Sequence, residues 1–403
     1  MATGEKTTPQ TFSRLTSDNF RVTKMYDFIS LNKLLDFFIE MGVPSFDIEV
    51  RHRGKTVMRR MHGYSDAQKT KPIDGTEKYH IYSCSKPITC VAMMTLFEKG
   101  KFSFYDRLSA YMPEFSKMYI REGDGVKEAQ NPITIENLFT MSAGLSYDLR
   151  SENLMAAREQ TGGRCQTREV MKYLAKDPLL FEPGTKFNYS LCHDVLAALV
   201  EVISGEKFGD YVKRNVFDRA EMGDSTFLPD EDVLSSLCAQ YTYHADTREY
   251  EYIGPRNNYR IGTEYESGGA GCVTTVNDYM KFLESLRTGG KIISRESVKL
   301  MMQNRYTPEQ SVNYFSPGYG YGLGVRCPID ASSPCTDFGW GGAAAAFLAC
   351  DMKNEFSVYY AQHVLGSPNQ SLRIKIAEYI RADLCGIDDG GAVFEAQKTQ
   401  LTY

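Results

Sequence analysis

The chain has no apolar run long enough for a membrane span, one tryptophan, and six histidines scattered over 403 residues. A spanning helix needs about 20 apolar residues, so a transmembrane protein is not expected. Met1 to Arg14 is polar and lacks the apolar segment of a signal peptide, which points to a cytoplasmic protein. Lys and Arg form no block, and 46 basic against 51 acidic residues leave a net charge of -5. Nucleic acid and membrane surfaces are therefore not expected partners.

The absences extend to catalytic signatures. There is no G-x-S-x-G, so the α/β-hydrolase elbow is missing. H-E-x-x-H, a P-loop and G-x-G-x-x-G are missing too, and no metal or other cofactor is expected. The ten cysteines include no C-x-x-C pair, which favours reduced, buried thiols over a disulfide framework or a zinc site. No repeat or low-complexity linker divides the chain.

What is present reads as a globular protein. Hydrophobic residues make up 42% and charged residues 24% of a chain longer than a single core usually supports. Ile29, Leu34, Leu35, Phe38 and Met41 share one face of a helix. Phe46, Ile48 and Val50 alternate before an Arg53-Gly54 turn, and Val57 onward returns as a hairpin. Pro87 to about Leu108 reads as helical, and helices and loops dominate to about Arg260, including Val195 to Val202 with its Gly205 stop. Strands return at Tyr319 to Val325, Ala345 to Ala349 and Phe356 to Gln362, followed by an amphipathic helix from Leu372 to Leu384.

This order predicts an α+β fold: an antiparallel sheet built from both chain termini, flanked by helices and interrupted by a mostly helical insertion. The expected parts are residues 20–82 with 265–386 as the sheet subdomain and 83–264 as the helical one, forming one catalytic unit.

A Ser-x-x-Lys tetrad puts a hydroxyl and an amine on one helical face, where the amine can accept the hydroxyl proton. Three tetrads occur: Ser30/Lys33, Ser83/Lys86 and Ser204/Lys207. Ser30 reads as a surface residue of a helix, and Ser204 belongs to a helix-ending turn. Ser83 follows the strand-like His80-Ile81-Tyr82 and precedes Pro87, a residue suited to a first helical turn. Its bland alternative is a helix cap.

Tyr82-Ser83-Cys84-Ser85-Lys86-Pro87-Ile88-Thr89 resembles the active-site segment of the β-lactamase-related serine hydrolases. That superfamily includes class C β-lactamases, D-alanyl-D-alanine carboxypeptidases, family VIII carboxylesterases and lovastatin-type acyltransferases. Ile133 to Leu145 and Gly268 to Phe282 resemble two further family segments. The resemblance implies Ser83 as nucleophile and Lys86 as its base. Phe187-Asn188-Tyr189-Ser190-Leu191 resembles the Tyr-x-Asn motif and implies Tyr189 as proton shuttle, with Leu191 in place of the asparagine. His193 or Asp194 is a candidate replacement partner for Lys86. Gly339-Trp340-Gly341-Gly342-Ala343 resembles the Trp-Gly-Gly form of the third motif. It implies that Trp340, Gly341 and Gly342 border the substrate and that the Ala343 N–H completes an oxyanion hole with that of Ser83.

A lysine at position 340 would pair with a substrate carboxylate, and tryptophan does not. Together with Leu191 this favours neutral esters over penicillins. The expectation is a cofactor-free serine esterase acting on a small-molecule ester or amide. The alternatives are an acyltransferase, a D-Ala-D-Ala carboxypeptidase or β-lactamase, and a ligand-binding relative without catalysis. Asn188-Tyr189-Ser190 is also a glycosylation sequon across the proposed shuttle, which suits an intracellular protein.

Overall fold

Period-two alternation sorts the strands of one large sheet between two apolar layers. The computed structural model describes residues 26–386 and 391–401, so the leader Met1 to Arg14 and residues 20–25 lie outside the described residues. The sheet strands are β1 (Ser45–His52), β2 (Lys55–Gly63), β3 (Tyr319–Tyr321), β4 (Arg326–Pro328), β5 (Phe338–Gly341), β6 (Phe347–Asp351) and β7 (Phe356–Ala361). Their order is β2-β1-β7-β6-β5-β4-β3, with every pairing antiparallel. The first two strands thus join a sheet whose other five come from the last quarter of the chain, as the α+β reading expects.

On one face, Phe46, Ile48 and Val50 of β1 and Phe356, Val358 and Tyr360 of β7 are buried. They meet Leu31, Leu34, Leu35 and Phe38 of α1 (Ile29–Glu40) and Ile376, Ala377 and Ile380 of the helix Lys375–Cys385. The opposite face, with Leu348 and Tyr359, joins the larger core shared with the helix Val276–Thr288. Between the two ends of the sheet lie α2 (Ser85–Glu98) and α3 (Cys192–Ser204), packed on each other. Ser85 through Leu96 is buried without a break, so α2 is a central helix with no solvent face over most of its length. Among the described residues no helix is long and apolar enough to cross a membrane.

Several expected elements differ. Helix α2 stops at Glu98 because Lys99-Gly100 turns the chain, with Gly100 at φ 64°, instead of running to Leu108. The expected strand Tyr319 to Val325 folds back at Gly324 into the β3–β4 hairpin. The strand expected from Ala345 begins at Phe347, since Ala345 has φ 67° and belongs to a turn. Leu372 and Ile374 precede the helix Lys375–Cys385 rather than lying in it, and a further helix, Ala392–Leu401, follows. Two small hairpins, Tyr119–Glu122 with Gly125–Glu128 and Tyr241–His244 with Glu249–Tyr252, sit inside the helical insertion. Ser30 is buried and not on the surface, and its backbone N–H bonds Asp383.

One ion cluster ties the helix Lys375–Cys385 to the sheet edge. Asp337 is fully buried, bonded to Arg326 and Arg381, and accepts the Tyr319 hydroxyl at 2.9 Å. Burial pushes the Asp337 carboxyl up, but the two guanidiniums outweigh it and hold it below the usual carboxylate range. Asp337→Ala leaves buried Arg326 uncompensated and Arg381 with only the longer contact to Asp351 at 3.8 Å, and should cost about 3–5 kcal/mol at pH 7. A carboxyl held low stabilises above its unfolded value near ~3.9, and that stability is lost as pH falls through its folded value. Thermal unfolding should therefore show a large gap between the variant and wild type at pH 7 that narrows below about pH 4. A gap unchanged across that range would contradict the ionic account.

Candidate active site

The chain enters the site on the short strand Lys78–His80 and turns sharply. Tyr82 has φ 48°, a left-handed conformation that a bulky residue adopts only when its surroundings impose it. Here they do. The Tyr82 hydroxyl donates to Gln240 at 2.5 Å, and its ring meets Tyr259 edge-on at 5.5 Å. Ser83 therefore sits in a 3-10 turn, Tyr82–Cys84, two residues ahead of α2 rather than as its cap. Two bonds brace the turn from below. Tyr279 donates to Cys84 O at 2.7 Å, and the Ser85 hydroxyl accepts Cys272 N–H at 3.0 Å.

Lys86 lies on the first turn of α2 and is fully buried. Its ammonium nitrogen donates to Ser83 Oγ at 3.2 Å and to Gly269 O at 2.8 Å. Tyr189 arrives from the loop before α3 and donates its hydroxyl to the same Ser83 Oγ at 2.5 Å. Lys86 Nζ also stands 4.5 Å from the Tyr189 ring centroid, within cation–π reach. Three residues taken from separate motifs thus converge on one oxygen. The other tetrads do not assemble: Lys33 pairs with Glu395, and the Ser204 hydroxyl bonds Val200 O in its own helix.

Tyr189 is held by aromatic neighbours. It stacks on Tyr147 at 5.3 Å with an interplanar angle of 4° and on Trp340 at 6.0 Å, with Phe315 edge-on at 5.9 Å. Trp340 and Gly341 end β5, and Gly342 and Ala343 begin the turn to β6. Glycine is required here by close approach. A Cβ on Gly342 would lie 2.5 Å from Ile81 O, beside the serine turn, and one on Gly341 would lie 2.7 Å from the Arg373 guanidinium. Ser83, Tyr189, Trp340, Gly341, Gly342 and Ala343 all line one cavity of about 860 Å³.

Leu191 caps α3 from inside the core, and its side chain brings no amide to Lys86. Of the two neighbours considered, Asp194 comes to the lysine. A Cβ on Gly269 would stand 2.5 Å from Asp194 Oδ2 and 3.3 Å from Lys86 Nζ, so only glycine fits between them. Asp194 Oδ1 accepts Tyr265 at 2.9 Å and Ser267 at 2.6 Å, while Oδ2 is buried without a hydrogen bond. His193 lies apart, its Nε2 at 3.2 Å from Phe139 O, and burial pushes its imidazole down to about 3. Burial also pushes the Cys84 thiol up to about 12 and Cys192 to about 11, which removes both as rival thiolates.

Tyr147, Tyr259 and Phe315 were not singled out from the sequence, although all three line the cavity. Tyr147 follows the Ser142-Ala143-Gly144-Leu145 segment closely, which is its one sequence signal. Tyr259 and Phe315 lie in irregular loops where no periodicity marks them.

Comparison with known proteins agrees with this geometry. Residues 32–379 match the family model described as Beta-lactamase. The chain belongs to the beta-lactamase family. Protein Rv1367c of Mycobacterium tuberculosis is 28% identical over 310 residues, covering 73% of this chain and 77% of that protein. The human mitochondrial serine beta-lactamase-like protein LACTB is 23% identical over 335 residues, covering 69% of this chain and 60% of its own. EstCE1, a hydrolase with promiscuous acyltransferase activity, matches in structure with a TM-score of 0.72 at 25% identity, covering 87% of this chain and 99% of EstCE1. Unliganded simvastatin synthase LovD from Aspergillus terreus has a TM-score of 0.73 at 20% identity, covering 87% of this chain and 98% of LovD. Membership places the chain among serine hydrolases at the level of the superfamily.

Burial pushes the Asp194 carboxyl up, against the Ser267 bond, the Lys86 charge and the Tyr265 bond, which favour ionisation. A carboxyl raised in the folded state destabilises the fold as pH rises from its unfolded value near ~3.9 through its folded value. Asp194→Asn keeps the acceptor for both hydroxyls and removes that penalty. Its Tm should exceed wild type by about 2–4 °C at pH 7.5 and match it near pH 4, while ester turnover falls. A variant less stable than wild type at pH 7.5 would show that the carboxylate is net stabilising.

Proposed function

We propose that the chain is a serine esterase that forms an acyl-enzyme on Ser83. The observation that carries this reading is the convergence of Lys86 Nζ and the Tyr189 hydroxyl on Ser83 Oγ at the wall of a cavity. In this reading the Lys86–Tyr189 pair takes the serine proton as Oγ attacks the ester carbonyl. Which member holds the charge is a property of the pair. The backbone N–H groups of Ser83 and Ala343 hold the developing oxyanion. Tyr189 passes the proton to the leaving alcohol, and the same pair then activates the water that releases the acid.

The choice of ester rests on the cavity walls. Tyr147, Tyr189, Tyr259, Phe315 and Trp340 offer aromatic surface to an apolar acyl or alkoxy group. Position 340 supplies no cation for a carboxylate. Arg373, which also lines the cavity, directs its guanidinium at the carbonyls of Gly342 and Ala346. All ten cysteines are free and eight are buried, in keeping with the cytoplasmic assignment made as part of this proposal. A second reading, acyl transfer to another alcohol, draws on the named activities of EstCE1 and simvastatin synthase.

Arg326 and Arg381 are taken up by Asp337, and Lys375 by Glu378, so a substrate carboxylate finds no free cation among the described lining residues. Purified protein should therefore hydrolyse p-nitrophenyl butyrate with a kcat/KM about a hundredfold or more above that for nitrocefin. Added alcohols that divert acyl groups to new esters would select the transferase reading. Nitrocefin turnover equal to or above ester turnover would reverse the assignment.

A further inference from the structure

A second cavity, about 700 Å³, lies beside the catalytic one and has no part in the mechanism above. Four of its ten lining residues are arginines: Arg150, Arg158, Arg256 and Arg260. None of the ten is acidic. The two cavities draw on the same two chain segments. Tyr147 and Tyr259 line the catalytic side, and the residues that follow or flank them, Arg150, Arg256 and Arg260, line the other.

The cavity gathers four positive charges in a chain whose net charge is -5. Arg59, Arg168, Arg287, Arg326 and Arg381 each bond a carboxylate. Among the described residues, none of the four pocket arginines forms an ion pair. Arg260 is half-buried, donates Nη2 to Thr263 O at 2.6 Å, and leaves its Nε buried without a partner. Burial pushes this guanidinium down from its ordinary value, a penalty that an incoming anion would relieve. Glu266 offers Arg260 a partial counter-charge from outside the cavity, but among the described residues no carboxylate lines it or pairs with the four arginines, and a bound anion would offset the repulsion that remains.

We propose that this cavity binds a phosphorylated small molecule. Guanidinium groups present paired donors that match phosphate oxygens, and a phosphate near neutral pH carries more charge and more acceptor oxygens than a carboxylate does. Leu154, Met155 and Ile261 give the same cavity an apolar wall, so the ligand carries an organic portion as well. The two chain segments that contribute to both cavities allow two sources of the phosphate. It belongs either to the far end of a substrate whose ester reaches Ser83, a case that rests on the esterase reading, or to a separate molecule bound next door.

Calorimetric titration of the full chain with pyrophosphate at low ionic strength tests the site without using catalysis. Saturable binding is expected, weakened at least about tenfold by Arg150→Ala/Arg158→Ala/Arg256→Ala. These three side chains are exposed, so the variant should fold, and its turnover of p-nitrophenyl butyrate should be unchanged. Arg260→Lys, which keeps the charge and loses the planar fork, should weaken binding on its own. The source follows from 4-hydroxybutyl butyrate and its phosphate monoester. A lower KM for the monoester that the triple variant abolishes assigns the phosphate to the substrate. Equal KM values, with pyrophosphate binding intact, assign it to a separate ligand. Loss of all ester turnover would sink the esterase reading and leave the titration standing. No saturable binding of pyrophosphate, or equal affinity in the triple variant, would overturn the site.

Discussion

A fully buried lysine organises the centre of this molecule. Burying an ammonium-bearing side chain is unfavourable unless polar partners replace water around it. Lys86 finds Ser83 Oγ, Gly269 O and the face of the Tyr189 ring, with the Asp194 carboxylate beyond Gly269. Each partner comes from a different part of the chain, so satisfying one nitrogen requires α2, the approach to α3 and the segment after Glu266 to come together. That is why the glycines at 268 and 269 matter. A Cβ on Gly268 would lie 2.4 Å from His193 O and 2.8 Å from Ala197 Cβ, pushing the segment off α3 and its carbonyl away from Lys86.

The reactive geometry follows from that packing. Tyr82 is held in a left-handed conformation by Gln240 and Tyr259, which turns Ser83 out of the helix and toward the cavity. The aromatic cluster of Tyr147, Tyr189, Phe315 and Trp340 then fixes the phenol against the serine, because stacked and edge-on rings leave it little freedom. The sheet supplies the opposite wall through β5 and the turn after it, where the absence of side chains on Gly341 and Gly342 lets backbone reach the Ser83 turn. Positioning thereby rests on packing, since Tyr189 comes from a loop yet is held by ring contacts on several sides, as catalysis by fixed dipoles requires.

Much of this is legible in the amino-acid sequence. The alternation of Phe46, Ile48 and Val50 marked a sheet face correctly because one side of β1 is wholly apolar. Ser83, Lys86, Tyr189 and Trp340 stand out through motif context, and the structure puts Ser83, Tyr189 and Trp340 around one cavity with Lys86 buried behind the serine. Other features depend on contacts no local pattern encodes. Asp194 was a candidate only because it sits near Leu191, and its relation to Lys86 emerges from how Gly269 crosses α2 and α3. Tyr259 and Phe315 come from irregular loops, and the β3–β4 reversal at Gly324 interrupts what reads as one continuous strand. Helix α2 ended early for a local reason, the Lys99-Gly100 turn, that the apolar periodicity beyond it obscured.

The central claim is that Ser83 Oγ, and no other hydroxyl or thiol, is the atom that Lys86 and Tyr189 activate. Incubation with a fluorophosphonate followed by peptide mass spectrometry examines it directly. The account predicts one adduct, on the peptide containing Ser83, with labelling abolished in a folded Ser83→Ala variant. An adduct on Ser30, Ser204 or Cys84, or undiminished labelling of Ser83→Ala, would contradict it.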